Sequence, residues 1–366
     1  MASLYDLDRA QLAEVLADEP RYRVDQLWHG LYDEALPLEQ VTTVPRALRE
    51  RLAGQFSAGL RPHAEVHSDR GATRKWVFAL PDGATIETVL MAYRDRVTVC
   101  VSSQAGCAMG CSFCATGQAG FTRHLSAGEI VEQVLVAARL AAPRRLSNVV
   151  FMGMGEPLAN YAATVGALHR LHEARHLSAR HLTVSTVGVV PALERLAGEG
   201  LALTLAVSLH AANDALRDQL VPLNRRYPLE RLHAACRHWT EATGRRLSLE
   251  WALIDGVNDT PAAIDELADF ARPLRAHVNL IPLNPTPGYP VRGSTPERVR
   301  AVRDQLEQLG VNATVRETRG RSIAAACGQL ATVTRGRRRL AVRAGVPEGG
   351  APARQQDRSQ DAGQPA

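Results

Sequence analysis

The feature that most constrains the fold is an alternation of short apolar strands with amphipathic helices, which begins after residue 94. The candidate strands span residues 97–102, 148–152, 181–186, 202–208, 247–253 and 277–281. Ser126 and Glu129 form a capping box before one of the intervening helices. Six strand–helix units at intervals of about thirty residues predict an α/β fold with a parallel sheet. We expect an incomplete (β/α)6 barrel with its chemistry on the loops at the strand carboxyl ends.

A doubly wound sheet is the alternative architecture for such a pattern. Gly153 and Gly155 follow the second strand, but the third glycine of a dinucleotide-binding fingerprint is missing. The sequence therefore favours the barrel.

Four segments are predicted along the 366 residues. Residues 1–60 contain stretches with helical spacing of apolar residues and predict a small helical accessory domain. Residues 61–93 change to strand-like alternation around a Pro-Asp-Gly turn and predict a β-hairpin extension. Residues 94–335 carry the barrel and a C-terminal cysteine loop. Residues 336–366, rich in Gly, Pro, Ala, Gln and Asp, predict a disordered tail.

Composition and charge exclude several classes of protein. A basic N-terminal segment followed by an apolar core is lacking, and the longest near-apolar run, around residues 201–209, is too short to cross a bilayer. Six cysteines are too few for a disulfide scaffold and suit a reducing compartment. Residues 335–343 hold five arginines and no acid, and this run either contacts RNA phosphates or forms a solvated tail. We therefore expect a cytoplasmic protein without a membrane anchor.

Three cysteines, Cys107, Cys111 and Cys114, follow the first barrel strand at Cys-x-x-x-Cys-x-x-Cys spacing. Thiolates prefer iron–sulfur clusters, zinc or copper(I), and a closed zinc site needs a fourth ligand, which the next fifty or so residues do not supply as cysteine. A zinc knuckle or a chance grouping is the alternative. The spacing resembles the signature of the radical S-adenosylmethionine (SAM) superfamily. This resemblance implies a [4Fe-4S] cluster whose open iron binds SAM.

Candidate ligand-binding residues follow the other strands, at the end where a barrel carries its chemistry. Glu156 can accept a hydrogen bond from an ammonium group, such as the amino group of SAM, and Gly155 lets the main chain approach a ligand closely. The remaining candidates are Ser185, Ser208, Leu209, His210 and Asn284. Each alone is as readily an ordinary turn or cap residue. Their occurrence at successive strand ends is what predicts a SAM site.

Two further cysteines are candidates for chemistry. Cys327 lies among small residues, and the charges of nearby Arg316 and Arg319 favour its thiolate. From spacing alone it is as readily a buried spectator as a nucleophile. Cys100 lies inside the first strand, on the face opposite its two valine neighbours, whereas Cys236 fits simple helix packing.

The chain closely resembles the RlmN-type enzymes, radical SAM methyltransferases that act on adenine in RNA, over residues 22–334. The motifs that carry the resemblance lie at residues 22–28, 100–104, 107–117, 152–158, 185–186, 208–210, 279–285 and 326–330. Departures from the family pattern are Ala92, where a proline is common, His124, where an asparagine is common, and the tail after Thr334. They concern only peripheral contacts.

The resemblance implies methylation of C2 of an adenine in 23S rRNA, and of an adenine beside the anticodon in tRNA, with two SAM molecules. Cys327 would carry the methyl group as S-methylcysteine, and a 5'-deoxyadenosyl radical would activate it. Glu87 would act as general base; without the resemblance it would be taken for a solvent-facing strand carboxylate. Cys100 would resolve the enzyme–RNA adduct by forming a disulfide with Cys327.

The resemblance also implies a monomer that binds RNA through the helices of residues 1–60 and takes electrons from a donor such as flavodoxin or ferredoxin. Two alternatives stay open. One is methylation at C8 of an adenine in 23S rRNA, as in the related Cfr-type enzymes. The other is a non-catalytic RNA-binding protein that uses the metal loop for structure.

Overall fold

The computed structural model describes residues 3–57, 59–286 and 288–330. The arginine-rich run and the predicted disordered tail lie outside these residues. Within them, no helix is both long enough and apolar enough to cross a membrane.

Short helices make up the first sixty residues. They are α1 (Arg9–Val15), α2 (Tyr22–Trp28), which continues into a π-helical turn (His29–Asp33), and α3 (Arg46–Gln55). Asp8 and Gln11 form a capping box at the start of α1. Leu12, Leu27 and Leu52 are buried and belong to the main hydrophobic core, so these helices pack on the rest of the protein.

Twelve strands are present among the described residues. They are β1 (Arg61–Ser68), β2 (Thr73–Ala79), β3 (Thr85–Ala92), β4 (Val97–Cys100), β5 (Gln104–Gly106), β6 (Phe121–His124), β7 (Asn148–Phe151), β8 (Leu182–Thr186), β9 (Thr204–Ser208), β10 (Ser248–Leu253), β11 (His277–Pro282) and β12 (Ala313–Val315). Ten of them form one sheet in the order β1-β2-β3-β4-β7-β8-β9-β10-β11-β12, and β5 pairs with β6 separately.

The parallel part of the sheet runs from β4 to β12, with every neighbouring pair parallel. All six predicted strands form, and the short β12 adds a seventh. Since β1 and β12 end the strand order without pairing to each other, the sheet is an open, incomplete barrel, as the sequence predicts.

Helices connect the parallel strands, as right-handed crossovers require. They are α4 (Ala115–Ala119), α5 (Ala127–Ala141), α6 (Tyr161–Glu173), α7 (Val190–Leu196), α8 (Asp214–Leu220), α9 (Leu229–Thr243), α10 (Pro261–Ala271) and α11 (Pro296–Gln308). The capping box of Ser126 and Glu129 starts α5, as predicted. Cys236 is fully buried within α9, in agreement with a packing role.

Helix α5 also holds the N-terminal helices against the barrel. The Asp6 carboxylate accepts a hydrogen bond from the main-chain N–H of Gly128 at 2.8 Å, in the first turn of α5. Further along the helix, Glu132 accepts a hydrogen bond from the N–H of Leu60 at 3.0 Å. These contacts fix the entry of the chain into β1.

The hairpin predicted at residues 61–93 is part of the barrel sheet. Strands β1, β2 and β3 are antiparallel neighbours, and β3 pairs antiparallel with β4. The register places Val89 opposite Cys100. Because alternate residues of a strand share a face, Glu87, Val89 and Met91 lie on the same face of the sheet as Cys100. The extension therefore brings the predicted base to the side of the predicted resolving cysteine.

Candidate active site at the carboxyl ends of the parallel strands

The carboxyl ends of the parallel strands open into one elongated cavity. Its lining includes Gly155, Glu156, Ser185, Ser208, His210, Glu250 and Asn284 from the strand ends, Cys111, Phe113 and Cys114 from the cysteine loop, and Arg316, Cys327 and Gly328 from the C-terminal segment. Six of the seven residues predicted to bind SAM are thus brought to one surface, at the end of the sheet where such folds carry their chemistry.

The loop between β5 and α4 carries Cys107, Cys111 and Cys114. The N–H of Cys107 donates to the carbonyl of Gly120 at 2.7 Å, which fixes the start of this loop. Burial, together with the charge of the Cys114 thiolate, raises the pKa of Cys107 to about 12 and that of Cys111 well above its usual value. Buried thiols of this kind ionise when they bind a metal, which supplies the compensating positive charge.

The spacing of these thiols bears on the kind of metal group that they can hold. Within the described part of the chain, no three His, Cys, Asp or Glu side chains converge closely enough for a single metal ion. An iron–sulfur cluster offers each thiolate a different iron atom, whereas zinc gathers its ligands around one centre. Three thiolates on one loop that carries no fourth cysteine are a donor set that suits a cluster with one open iron.

Glu156 is buried at the cavity wall. Its Oε1 accepts a hydrogen bond from the N–H of Leu158 at 3.0 Å, and its Oε2 accepts one from the N–H of Val187 at 2.9 Å. Burial raises the pKa of Glu156 to about 7, although these two hydrogen bonds act in the opposite direction. A ligand ammonium group would favour the ionised form of this fixed carboxylate.

His210 presents a neutral donor to the cavity. Its Nδ1 accepts a hydrogen bond from the N–H of Ala252 at 3.0 Å, so the proton of the neutral ring is on Nε2. Burial, reinforced by the charge of Arg217, lowers the pKa of His210 to about 3. The ring of Phe113 meets the His210 ring edge-on, with 4.6 Å between centroids. The imidazole therefore keeps one protonation state across the physiological range.

The other strand-end residues divide into those that face the cavity and one that does not. The hydroxyls of Ser185 and Ser208 lie 3.4 Å apart at the cavity wall. The side chain of Leu209, by contrast, is fully buried in the main core. Its N–H donates to the carbonyl of Glu250, and its own carbonyl accepts from Arg217. The Leu209 side chain therefore points away from the cavity, since neighbouring residues on a strand point to opposite faces, and the prediction that Leu209 binds the cofactor concerns its main chain.

The side-chain amide of Asn284 bonds to the C-terminal segment. Its Nδ2 donates to the carbonyl of Cys327 at 3.1 Å, and its Oδ1 accepts from Nε of Arg321 at 3.2 Å. From the other side, the carbonyl of Gly328 accepts from the N–H of Ala115 at 2.8 Å, one residue after Cys114. Cys327 is therefore fixed beside the cysteine loop.

Cys327 lies where two cavities meet. It lines the main cavity together with Cys111 and Cys114, and it also lines a second, smaller cavity that contains Cys100. Burial, and then the charge of Cys327, raises the pKa of Cys100 to about 12. Arg316 lines both cavities, and the negative charge of Cys327 is the main cause that raises the pKa of Arg316. This guanidinium therefore lies near Cys327, at the junction of the two cavities.

Glu87 is only 2% exposed, so a solvent-facing carboxylate is excluded. Its Oε2 lies 3.2 Å from Nζ of Lys75 on β2. Burial raises the pKa of Glu87, and the charge of Lys75 opposes that shift. Lys75 also donates to the carbonyl of Ala324, three residues before Cys327.

Comparison with known proteins identifies the family. A protein of Parafrankia sp. (strain EAN1pec) described as "Probable dual-specificity RNA methyltransferase RlmN" is 54% identical over 332 residues, which cover 85% of this chain and 86% of the relative. The chain belongs to the RlmN family. A second RlmN relative, "Dual-specificity RNA methyltransferase RlmN 1" of Myxococcus xanthus (strain DK1622), is 49% identical over 348 residues and covers 92% and 97% of the two chains.

The radical SAM superfamily model matches residues 101–271, which contain the cysteine loop and four of the parallel strands that follow it. The crystal structure of a radical SAM methyltransferase from Sphaerobacter thermophilus is 52% identical and superposes with a TM-score of 0.88, covering 90% of this chain and 99% of that one. The cofactors of this RlmN-family chain are a [4Fe-4S] cluster and SAM. The three thiols of one loop, beside the buried carboxylate of Glu156, fit both.

Sequence reasoning missed several residues that shape this RlmN site. Glu250 lines the cavity, with its Oε2 3.7 Å from Nη1 of Arg316. Gln133 on α5 accepts from Thr88 and exchanges two hydrogen bonds with the main chain of Ser102, which joins the helix to β3 and to the end of β4. The available sequence signals were the charge of Glu250 inside an apolar strand and the amide of Gln133 on the apolar face of a helix.

Proposed function

We propose that the chain methylates C2 of an adenine in RNA, using two molecules of SAM and Cys327 as the methyl carrier. The coarser statement, that it is a radical SAM RNA methyltransferase, follows from its family. The observation that carries the finer proposal is the position of Cys327 between the cavity beside the cysteine loop and the cavity that contains Cys100.

Two SAM molecules are needed because adenine C2 lies between two ring nitrogens and is electron-poor. Such a carbon does not attack the sulfonium methyl group directly. A thiolate does, and Cys327 lines the main cavity together with Arg316. The sulfur lone pair forms the new S–C bond, and S-adenosylhomocysteine leaves.

The cysteine loop would hold the cluster through Cys107, Cys111 and Cys114, and Glu156 would bind the SAM ammonium group. When bound, the cluster and SAM supply one-electron chemistry that yields a 5'-deoxyadenosyl radical. Ser185, Ser208 and His210 would orient the nucleoside through their hydrogen-bonding groups, because they line the same cavity.

The methyl group on Cys327 would give one hydrogen atom to the 5'-deoxyadenosyl radical that the bound cofactors supply, which would leave as 5'-deoxyadenosine, and the resulting carbon radical would add to C2. The adduct radical would then lose one electron, for which a bound cluster would be the acceptor, and would lose the C2 proton to Glu87. The Cys100 sulfur, whose proton must leave because burial raises the pKa of this thiol to about 12, attacks the Cys327 sulfur, and the electrons of the S–C bond stay with the carbon, which takes up a proton. The products are a methylated base and a Cys100–Cys327 disulfide, which a reductant must reopen before the next cycle.

The RNA base reaches this cavity only when it is unstacked. We propose that 23S rRNA and tRNA are the substrates, and that the helices of residues 1–60 bind the RNA around the target adenine. We also propose that the enzyme is monomeric and cytoplasmic, and that a flavodoxin or ferredoxin supplies its electrons. The boundaries proposed for the accessory domain, the extension and the barrel follow the change from helices to antiparallel strands to parallel strands.

The test is mass spectrometry of nucleosides from 23S rRNA and tRNA after anaerobic incubation with reconstituted enzyme, SAM and a reductant. We expect 2-methyladenosine. Appearance of 8-methyladenosine instead would move the reaction to C8. Failure to form 5'-deoxyadenosine or any methylated nucleoside would contradict the proposal.

A further inference from the structure

Lys75 is the only lysine among the 43 lysine and arginine residues of the chain. It lies on β2, and its side chain is 11% exposed. Its ammonium group contacts two segments: it forms an ion pair with Glu87, with Nζ 3.2 Å from Oε2, and it donates a hydrogen bond to the carbonyl of Ala324 at 3.0 Å. A compact ammonium with three donors suits two such contacts, whereas the planar fork of arginine suits bidentate pairing with one carboxylate.

The register of the sheet places Lys75 on the same face as Glu87 and Cys100. Lys75 lies opposite Val89, and Val89 lies opposite Cys100, so the three residues form a row across β2, β3 and β4. Residues in such a row share a face of the sheet, and Glu87 is two residues from Val89 on that face. The ammonium, the carboxylate and the thiol are therefore neighbours on one surface.

The C-terminal segment that carries Cys327 covers this surface and is attached to it. Asp69 accepts a hydrogen bond from the N–H of Gly320 at 3.2 Å, and Lys75 binds the carbonyl of Ala324. Ala324 has φ of 49°, a left-handed conformation that a residue with a side chain adopts only when its surroundings hold it there. The contact with Lys75 is part of what holds it.

We propose that Lys75 is a positioning residue that keeps Glu87 in its proton-accepting form and joins it to the Cys327 segment, so that base and methyl carrier meet the RNA base in a fixed relation. This inference rests on the proposed function. An ion pair of this kind is needed because burial by itself favours the protonated acid, which accepts no proton from C2.

Other titratable groups near this surface also change charge with pH. The titratable groups around the adjoining small cavity are Tyr93, Cys100, Arg316, Glu317, Arg319 and Cys327. Of the charged side chains in the described residues, Lys75 is the one whose interaction with Glu87 is large enough to oppose the effect of burial on its pKa. Removing it should raise that pKa further, and a higher pH is then needed to ionise Glu87.

The experiment is single-turnover methylation by the full-length, cluster-loaded chain, with Lys75→Met, Glu87→Gln and the double variant compared at several pH values. We expect Lys75→Met to slow product release from the enzyme–RNA adduct at least tenfold at neutral pH, to accumulate that adduct, and to regain rate as the pH rises. The double variant should be no slower than Glu87→Gln, because Lys75 acts through Glu87. Arg74→Met, the next residue on β2, is the matched control and should behave as wild type.

Several outcomes would overturn the inference. If Lys75→Met releases product from the enzyme–RNA adduct at the wild-type rate at every pH, Lys75 has no role in the reaction. Lys75 has a purely structural role if Lys75→Met turns over slowly without accumulating adduct or shifting the pH profile, and if its loss of rate adds to that of Glu87→Gln in the double variant. The proposed role of Glu87 as the base would then stand. Normal turnover by Glu87→Gln contradicts the proposed role of Glu87 itself, and the two failures are therefore distinguishable.

Lys75→Arg covers the case in which Lys75→Met does not fold. It keeps the positive charge but changes the geometry, so we expect a lower rate with the wild-type pH profile. A profile displaced to higher pH in this variant would contradict the inference.

Discussion

Cys100 and Cys327 line the same small cavity, of about 30 Å³, although one lies in the first parallel strand and the other in the C-terminal segment. A space of this size holds about one water molecule and cannot admit a purine. Cys100 and Cys327 therefore face a shared space that the RNA base does not occupy. This arrangement favours thiol–disulfide exchange as the step that releases the product.

Cys100→Ala should leave enzyme covalently joined to RNA. The variant keeps the carrier and the base but lacks the thiolate that breaks the S–C bond, so the adduct should accumulate in a single turnover. Denaturing gel electrophoresis with labelled RNA measures it. Cys236→Ala, which alters a buried cysteine in the core of α9, is the matched control and should release product normally. Free product without adduct from Cys100→Ala would make Cys100 a spectator.

Cys327→Ala should abolish methyl transfer while leaving the cofactor site intact. No S-methylcysteine should be found by peptide mass spectrometry, and no methylated nucleoside should form. Because Cys327 lies outside the cysteine loop, the cluster absorbance should match that of the wild type. Normal turnover by this variant would exclude a carrier role.

Cys107→Ala tests the cluster assignment at the one loop cysteine that does not line the main cavity. We expect loss of the iron–sulfur absorbance after anaerobic reconstitution, and loss of 5'-deoxyadenosine formation. The remaining two thiols cannot satisfy the three irons that a site-differentiated cluster presents to protein. Retention of both signals would contradict the assignment, and Cys236→Ala again serves as control.

The sequence predicted the parallel strands well because each carries an apolar run and leads into a helix with a recognisable start. The three-residue β12 could not be found this way, since so short a segment has no periodicity. Strand-end residues such as Glu156 and His210 were predictable by one rule, namely that parallel strands end on the same side. Leu209 shows the limit of that rule: it also follows a parallel strand, but its side chain points to the opposite face of the sheet, into the core.

Contacts between distant segments were beyond sequence reasoning. The pairing of Lys75 with Glu87 depends on the register of two antiparallel strands, and the contact of Lys75 with Ala324 depends on where the C-terminal segment lies on the sheet. The resemblance to a family supplied the roles of Glu87 and Cys100, which no spacing in the chain reveals. The structure adds the physical setting: a buried base with one cation, and a thiol beside a cavity too small for RNA.

Asn284→Ala distinguishes a cofactor contact from a contact that positions Cys327. Both polar atoms of this amide bond to the C-terminal segment. Loss of about 1–2 kcal/mol of hydrogen-bonding energy should slow methylation of Cys327 roughly tenfold, while the Kd for SAM stays unchanged. The two quantities can be measured by mass spectrometry of Cys327 and by equilibrium binding. A weakened Kd with normal methylation would show that Asn284 acts on the cofactor instead.

Glu132→Gln tests the pH dependence of the junction between the N-terminal helices and the barrel. Burial raises the pKa of Glu132 to about 7, although the hydrogen bond from Leu60 opposes the shift. The folded protein therefore holds this proton more tightly than the unfolded chain does, and folding stability falls as the pH rises from about 4.5 to about 7. Above that window the ionised carboxylate costs roughly 2–4 kcal/mol.

Glutamine keeps the acceptor for the Leu60 N–H but carries no charge, so Glu132→Gln should be more stable than wild type at pH 8 and similar to it near pH 5. Anaerobic urea unfolding at the two pH values measures the difference. Glu156 titrates in the same range and is present in both proteins, so its contribution cancels in the comparison. Equal stabilisation at pH 5 and pH 8 would contradict the raised pKa, because the gain would then come from packing and not from the removal of a buried charge.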